Sequence, residues 1–176
     1  MQTHRLADSL PMNRLWSPWR MAYIQNPHKA ENCVFCRVPK VPDNAENLIV
    51  VRGQFCYVIL NRYPYTTGHL MVVPFEHLEK LEELTPETRA EMIELATRGV
   101  QVLQTVYRAQ GFNIGANLGS AAGAGIPKHL HFHIVPRWQG DTNYMAAIGN
   151  TRIMPETLED TYRRVSKAWL EPENSD

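Results

Sequence analysis

Three histidines stand at alternate positions in one apolar run: His129, His131 and His133 in Lys128-His-Leu-His-Phe-His-Ile-Val-Pro136. Successive side chains of a strand point to opposite faces. The spacing therefore predicts three imidazoles on one face, with Leu130, Phe132 and Ile134 on the other. Near neutral pH imidazole can act as base, nucleophile or metal ligand. Three close together cannot all be protonated without mutual repulsion. Such a row needs an anion, a metal or a hydrogen-bond network to take up its ring nitrogens. One strand histidine is commonly a satisfied core or surface residue, but three on one face read as a site.

The elements that position this row lie on its N-terminal side. Leu48 to Val51, Phe55 to Leu60 and His69 to Pro74 read as strands, with Arg52-Gly53-Gln54 as a hairpin turn between the first two. Asn61 to Gly68 is a loop rich in turn residues. Thr85-Pro86 is a helix start, with Thr as N-cap and Pro at the first helical position. Met92, Leu95, Ala96, Gly99, Val102, Leu103 and Val106 then form one apolar stripe at helical spacing, and Gly111 is read as the helix stop. Phe112 to Leu118 reads as a strand, and Gly119 to Gly125 as a loop leading into the histidines. Glu76 to Glu83 carries leucines at helical spacing and reads as an amphipathic segment. A last helix is predicted from about Glu156 to Trp169, with Pro155 in its first turn. Several strands around one long helix predict an α+β fold with an antiparallel or mixed sheet. The helix covers one face, and the histidine face stays open to ligand.

Gly119, Gly123 and Gly125, with Ser120 among them, let backbone amides approach an anion. The loop is read as a phosphate contact, against the alternative of a plain connector. Of three cysteines, Cys56 lies in the apolar run Phe55 to Leu60 and is read as a small buried side chain. Cys33 and Cys36 have metal-ligand spacing, since two intervening residues let both thiolates reach one tetrahedral ion. A redox pair is the alternative, but no thioredoxin-like βαβ pattern surrounds it.

The chain has 176 residues, with 44% hydrophobic, 20% charged and no net charge. That suits one domain with a sizeable core and gives no global electrostatic case for nucleic-acid or membrane binding. No apolar run is long enough to span a bilayer, and Met1 to Met12 lacks the apolar segment of a signal peptide. A cytoplasmic location is the default expectation. The aromatic stretch Leu15 to Ile24 is read as an arm packing its tryptophans on the domain or a partner subunit. His4 is read as solvated.

The run His129 to Pro136 behind a glycine-rich loop resembles the signature of the histidine triad (HIT) family. Asn61-Arg-Tyr-Pro-Tyr-Thr-Thr-Gly-His-Leu-Met-Val-Val-Pro74 resembles the family's second block. The likeness spans roughly residues 30–138. Leu15-Trp-Ser-Pro-Trp-Arg20 and Arg137-Trp-Gln-Gly-Asp141 resemble the microbial branch acting on diadenosine polyphosphates. The resemblance implies an antiparallel sheet, a nucleotide pocket and a homodimer. It divides the chain into an N-terminal arm (1–32), a catalytic domain (33–140) and a C-terminal segment (141–176) whose helix packs on the same domain.

By that resemblance His131 is the nucleophile that attacks the α-phosphorus, and His133 holds phosphate or bridging oxygens and helps the leaving group depart. Asn61 and Asn117 contact ribose and phosphates, while backbone amides near Ser120, Gly123 and Gly125 stabilise the transferring group. His69 is either a structural link or a direct phosphate contact. Trp138 either edges the pocket or packs in the core. The resemblance also implies a structural zinc held by Cys33, Cys36, His77 and His129, with His28 as a less favoured ligand. Mg²⁺ is a candidate companion of the polyphosphate, though no dedicated carboxylate cage is visible for it.

Three functions follow. The leading one is cleavage of a dinucleoside polyphosphate, such as diadenosine tetraphosphate, through a nucleotidyl-histidine, with water or phosphate as second acceptor. Phosphorolytic relatives tend to place a serine late in the glycine loop. Here Ala122-Gly-Ala-Gly125 stands there and Ser120 comes earlier. The others are a nucleoside phosphoramidase and a non-catalytic nucleotide-binding module.

Overall fold

Five strands form one antiparallel sheet in the order β1-β2-β3-β5-β4. The computed structural model describes residues 33–142, 148–149 and 153–171. The tryptophan arm, His4 and His28 lie outside the described residues. The strands are β1 (Ile49–Arg52), β2 (Cys56–Leu60), β3 (Leu70–Pro74), β4 (Gly111–Gly115) and β5 (Phe132–Arg137). The helices are a single turn α1 (Val34–Arg37), the long α2 (Pro86–Tyr107) and α3 (Leu158–Leu170). The α+β expectation is met.

Helix α2 starts where the sequence placed it. Thr85 Oγ1 accepts the Thr88 N–H at 3.1 Å and Pro86 takes the first helical position, a cap worth about 1 kcal/mol. Met92, Ala96, Gly99, Val102 and Leu103 are buried, as the stripe predicts. Gly99 lets the helix close on the sheet, because a Cβ there would lie 2.9 Å from Ile134 Cδ1. Glu91 ties the same helix to the β1–β2 hairpin. Its carboxylate accepts the N–H groups of Gln54 (2.6 Å), Phe55 (2.6 Å) and Cys56 (2.8 Å).

Several boundaries differ from expectation, among them the end of β4, at Gly115 and not Leu118. Gly111 does not stop α2: Arg108 does, in the left-handed conformation at φ 51°. The Arg108 N–H closes on Gln104 O, and the Trp138 indole N–H takes the Tyr107 carbonyl, so the open end is already satisfied. Gly111 instead opens β4. Helix α3 begins at Leu158, because Thr157 Oγ1 accepts the Asp160 N–H at 3.1 Å and caps it; Pro155 lies before the cap. Glu76 to Glu83 holds one 3-10 turn, Leu81–Glu83, and no longer helix. The Leu78 carbonyl there accepts the Leu130 N–H at 2.7 Å. Finally, the triad strand begins at Phe132. His129 and His131 precede it, His129 closing a turn through its N–H to Ile126 O at 3.3 Å and His131 following outside the ladder.

Directly paired residues share a face. Leu70 pairs Ile134, and both meet α2 near Gly99. His133 pairs Met71 and Gly115, so it projects from the face away from α2. That face is not fully open as expected. The turn around α1 covers part of it, and Tyr57 of β2 donates its hydroxyl to the Phe35 carbonyl at 2.8 Å. Strand β4 forms the sheet's edge, with Ile114 50% exposed. Among the described residues no helix is long and apolar enough to cross a membrane.

Candidate active site and metal centre

His131 is 6% exposed and His129 fully buried, so each ring nitrogen needs a partner or a purpose. His131 Nδ1 lies 2.8 Å from the His129 carbonyl. A carbonyl only accepts, so Nδ1 carries the proton and Nε2 keeps a bare lone pair. Burial pushes the ring's pKa below its ordinary value, opposed by that hydrogen bond. The neutral, nucleophilic form is therefore favoured at neutral pH.

His133 takes the opposite tautomer. His69 Nδ1 receives the Tyr65 backbone N–H at 3.1 Å and the Asn61 side-chain amide at 3.3 Å. It is an acceptor, so the His69 proton sits on Nε2 and points at His133 Nδ1, 2.9 Å away. His133 must then carry its own proton on Nε2. Burial, then the neighbouring His131, lower His133 to about 4. Burial, then His133 and His131, lower His69 to about 3. The pair is neutral and directional: a buried His69 behind, a part-buried His133 in front. The His131 and His133 ring centroids are 4.9 Å apart, close enough for one phosphoryl group to meet both.

His129 turns away from this pair. Its Nε2–H donates to the Pro74 carbonyl at 2.9 Å, leaving Nδ1 bare at 3.4 Å from Cys33 Sγ and 3.5 Å from Cys36 Sγ. His77 Nδ1 lies 3.2 Å from Cys36 Sγ. The four ligand atoms fall within 4.8 Å of one another. Donors bound at about 2.0–2.3 Å to a tetrahedral ion stand about 3–4 Å apart, so this set could hold a metal. Burial, then Cys33, raise the Cys36 thiol to about 11; a bound cation would reverse that by stabilising the thiolates. The donor set fits a closed, four-ligand structural site.

The other expected residues are distributed unevenly. Asn61 accepts the Tyr63 N–H at 3.0 Å as well as meeting His69, so it stands behind the histidines. Asn117 follows β4 two residues beyond Gly115, the neighbour of His133. The loop holds a 3-10 turn, Ser120–Ala122, between Gly119 (φ 76°) and Gly123 (φ 80°). Ser120 is exposed, and a Cβ at Gly119, Gly123 or Gly125 would meet nothing within 4 Å. Trp138 sits beyond the opposite end of β5 from His133, bonded to Tyr107.

Two aromatics escaped the sequence reading. Tyr65, 37% exposed, lies against His69 (4.6 Å) and His133 (5.8 Å). Phe35 lies against His129 (5.4 Å) and His131 (5.0 Å). Their signals were available: one aromatic inside the Cys-x-x-Cys spacing and one in the loop before His69.

Comparison with known proteins accords with this geometry. The HIT domain model matches residues 43–140. The chain belongs to the HIT family. A relative from Mycobacterium tuberculosis named AP-4-A phosphorylase is 40% identical over 166 residues, covering 90% of this chain and 85% of that one. A bis(5'-nucleosyl)-tetraphosphatase (asymmetrical) from Schizosaccharomyces pombe is 31% identical over 53% of this chain and 50% of its own. Among solved structures, a zinc-bound HIT protein from Mycobacterium smegmatis superposes with TM-score 0.64. It is 29% identical, covering 80% of this chain and 95% of that one.

Proposed function

We propose that this protein cleaves dinucleoside polyphosphates, diadenosine tetraphosphate foremost, by nucleotidyl transfer to His131 with inorganic phosphate as second acceptor. The observation that carries the reading is the Nδ1–H bond to the His129 carbonyl, which leaves Nε2 as a fixed nucleophile. The Nε2 lone pair attacks the α-phosphorus. The bond to the bridging oxygen breaks, and its electron pair leaves with ATP. The His133 Nε2–H, oriented through His69, bonds that oxygen as charge develops. A polyphosphate leaves as an oxyanion and needs no full proton transfer. Phosphate then attacks the adenylyl phosphorus, the P–N pair returns to Nε2, and ADP is released.

The choice of phosphate over water follows the 40% identical relative named a phosphorylase. Asn117, Ser120, Gly123 and Gly125 are assigned to ribose and phosphates. The four-ligand centre is assigned to zinc, by its two-sulfur, two-nitrogen donor set and the zinc-bound neighbour. Bound there, zinc would hold the segment around α1 beside the nucleophile and has no open position for chemistry.

Product analysis with diadenosine tetraphosphate, with and without phosphate, tests the reading. ADP plus ATP only with phosphate is expected, and loss of turnover in His131→Ala. AMP plus ATP in both conditions makes the protein a hydrolase. Normal turnover by His131→Ala rejects the nucleophile. A homodimer through the open edge of β4 is proposed for the same protein. Light scattering checks it, and a monomer at micromolar concentration rejects it.

A further inference from the structure

The hydrogen bond to His129 fixes one nitrogen of His131 and leaves the ring's tilt undetermined. Rotation about the terminal bond of a histidine side chain is soft, and an imidazole anchored at Nδ1 can still rock and carry Nε2 off the line of attack. Something must pack on the ring. Two rings do: His133, edge-on at 4.9 Å and 76° from the donor side, and Phe35, 4% exposed, with its centroid 5.0 Å from that of His131 and the planes inclined at 50°.

Phe35 is itself held at both ends. It stands between Cys33 and Cys36, two of the four residues that could hold a metal. Its carbonyl accepts the hydroxyl of Tyr57, a fully buried residue of β2, at 2.8 Å. Its ring also meets the third metal-site residue, His129, edge-on at 5.4 Å and 70°. Two of the three restraints on His131, the His129 carbonyl and the Phe35 ring, therefore come from the candidate metal centre, and the His133 ring supplies the third.

We propose that Phe35 is a positioning residue that sets the tilt of His131, and that the Cys33–Cys36–His77–His129 centre holds it in place, so that metal occupancy governs the nucleophile. This rests on the reading of His131 as the nucleophile given above. Phe35 touches no reacting atom in that scheme and acts only through His131. Its effect belongs in turnover and not in substrate affinity.

The test uses the full chain loaded with zinc, as the parent protein and as Phe35→Leu and Phe35→Ala. Leucine keeps apolar bulk without the flat ring; alanine removes both. The expected result is near-stoichiometric zinc in Phe35→Leu, KM within about twofold of the parent, and kcat lower by about 10-fold in Phe35→Leu and about 100-fold in Phe35→Ala, the scale of a misplaced reacting group. A second readout is the imidazole ¹⁵N–¹H spectrum, with His131 assigned through His131→Ala. The parent should show a slowly exchanging Nδ1–H that broadens in both variants and, equally, when a chelator strips zinc from the parent. That arm needs no variant, and it is read at a temperature where the sheet amides of the stripped parent keep their folded shifts.

Turnover per zinc-loaded molecule within twofold of the parent in both variants overturns the proposal. So does a rise in KM with kcat unchanged, or a His131 signal insensitive to both Phe35 and zinc. If instead His131→Ala keeps full turnover, the catalytic reading fails, and the spectrum still reports whether Phe35 and the metal hold the ring.

Discussion

On one side of His131, the His129 ring gives its Nε2 proton to the Pro74 carbonyl and turns a bare Nδ1 toward Cys33 and Cys36. On the other side, His133 receives the His69 proton on Nδ1 and presents its own on Nε2. Both flanks are imidazole, and both are depressed in pKa chiefly by burial. What separates them is the partner of the second nitrogen. A backbone carbonyl makes a ligand out of one, and a second histidine makes a hydrogen-bond donor out of the other. Residue type supplied the chemistry of both flanks, and the neighbours chose which tautomer each would use.

Breaking the metal flank should have the largest effect. Cys33→Ser, or chelation of the parent, should lower stability by about 4 kcal/mol or more where zinc stands a thousandfold above its dissociation constant. Thermal melts with and without chelator measure this. An unchanged melting temperature together with no bound zinc removes the metal from the comparison.

Breaking the donor flank should cost rate before stability. His69→Leu leaves His133 free to take the wrong tautomer. It should lower kcat by about 100-fold, the scale for losing one well-placed hydrogen-bond donor to developing negative charge, while the metal content stays intact. A drop in zinc with kcat unchanged would mean that the two flanks are not separate devices.

The smallest effect lies in the pH dependence of stability. His69 and His133 are depressed from 6.5 to about 3 and about 4. Below 6.5 the unfolded chain binds protons that the folded pair does not. Stability from this pair is thus fully present above pH 6.5 and is lost progressively as pH falls toward 4. The loss is about 1 kcal/mol per histidine at one unit below 6.5. Denaturant midpoints of zinc-loaded protein between pH 7 and 5.5 should show this slope, and His69→Leu should flatten it. An equal slope in both proteins assigns the dependence to other groups.

The fold was legible where one local rule decided it. Thr85-Pro86 capped α2, and the stripe from Met92 to Leu103 faced the core, because helical period and cap chemistry are properties of neighbouring residues. Gly111 misled because helix ends are settled by whatever satisfies the last carbonyls. Here those are Arg108 and Trp138, a tryptophan thirty-one residues beyond the Tyr107 carbonyl it meets. The triad strand is shorter than alternation alone predicts for the same kind of reason. His129 Nε2–H donates to the Pro74 carbonyl and the Leu130 N–H to the Leu78 carbonyl, so the chain at 129–131 stays out of the ladder with β3, which starts at Phe132.

The sequence by itself determined which groups were available: three alternating imidazoles, a Cys-x-x-Cys pair, and a glycine-rich loop ahead of them. It set which face of β5 His133 would share, since strand alternation is local. Only the tertiary structure decided which nitrogen of each ring carries the proton, that Cys33 and Cys36 meet His77 and His129, and that Phe35 rests on His131. Apart from the local bonds of His131 to the His129 carbonyl and of His69 to Tyr65 and Asn61, those facts depend on groups tens of residues apart, which hydrogen-bond geometry brings together only after the sheet has formed.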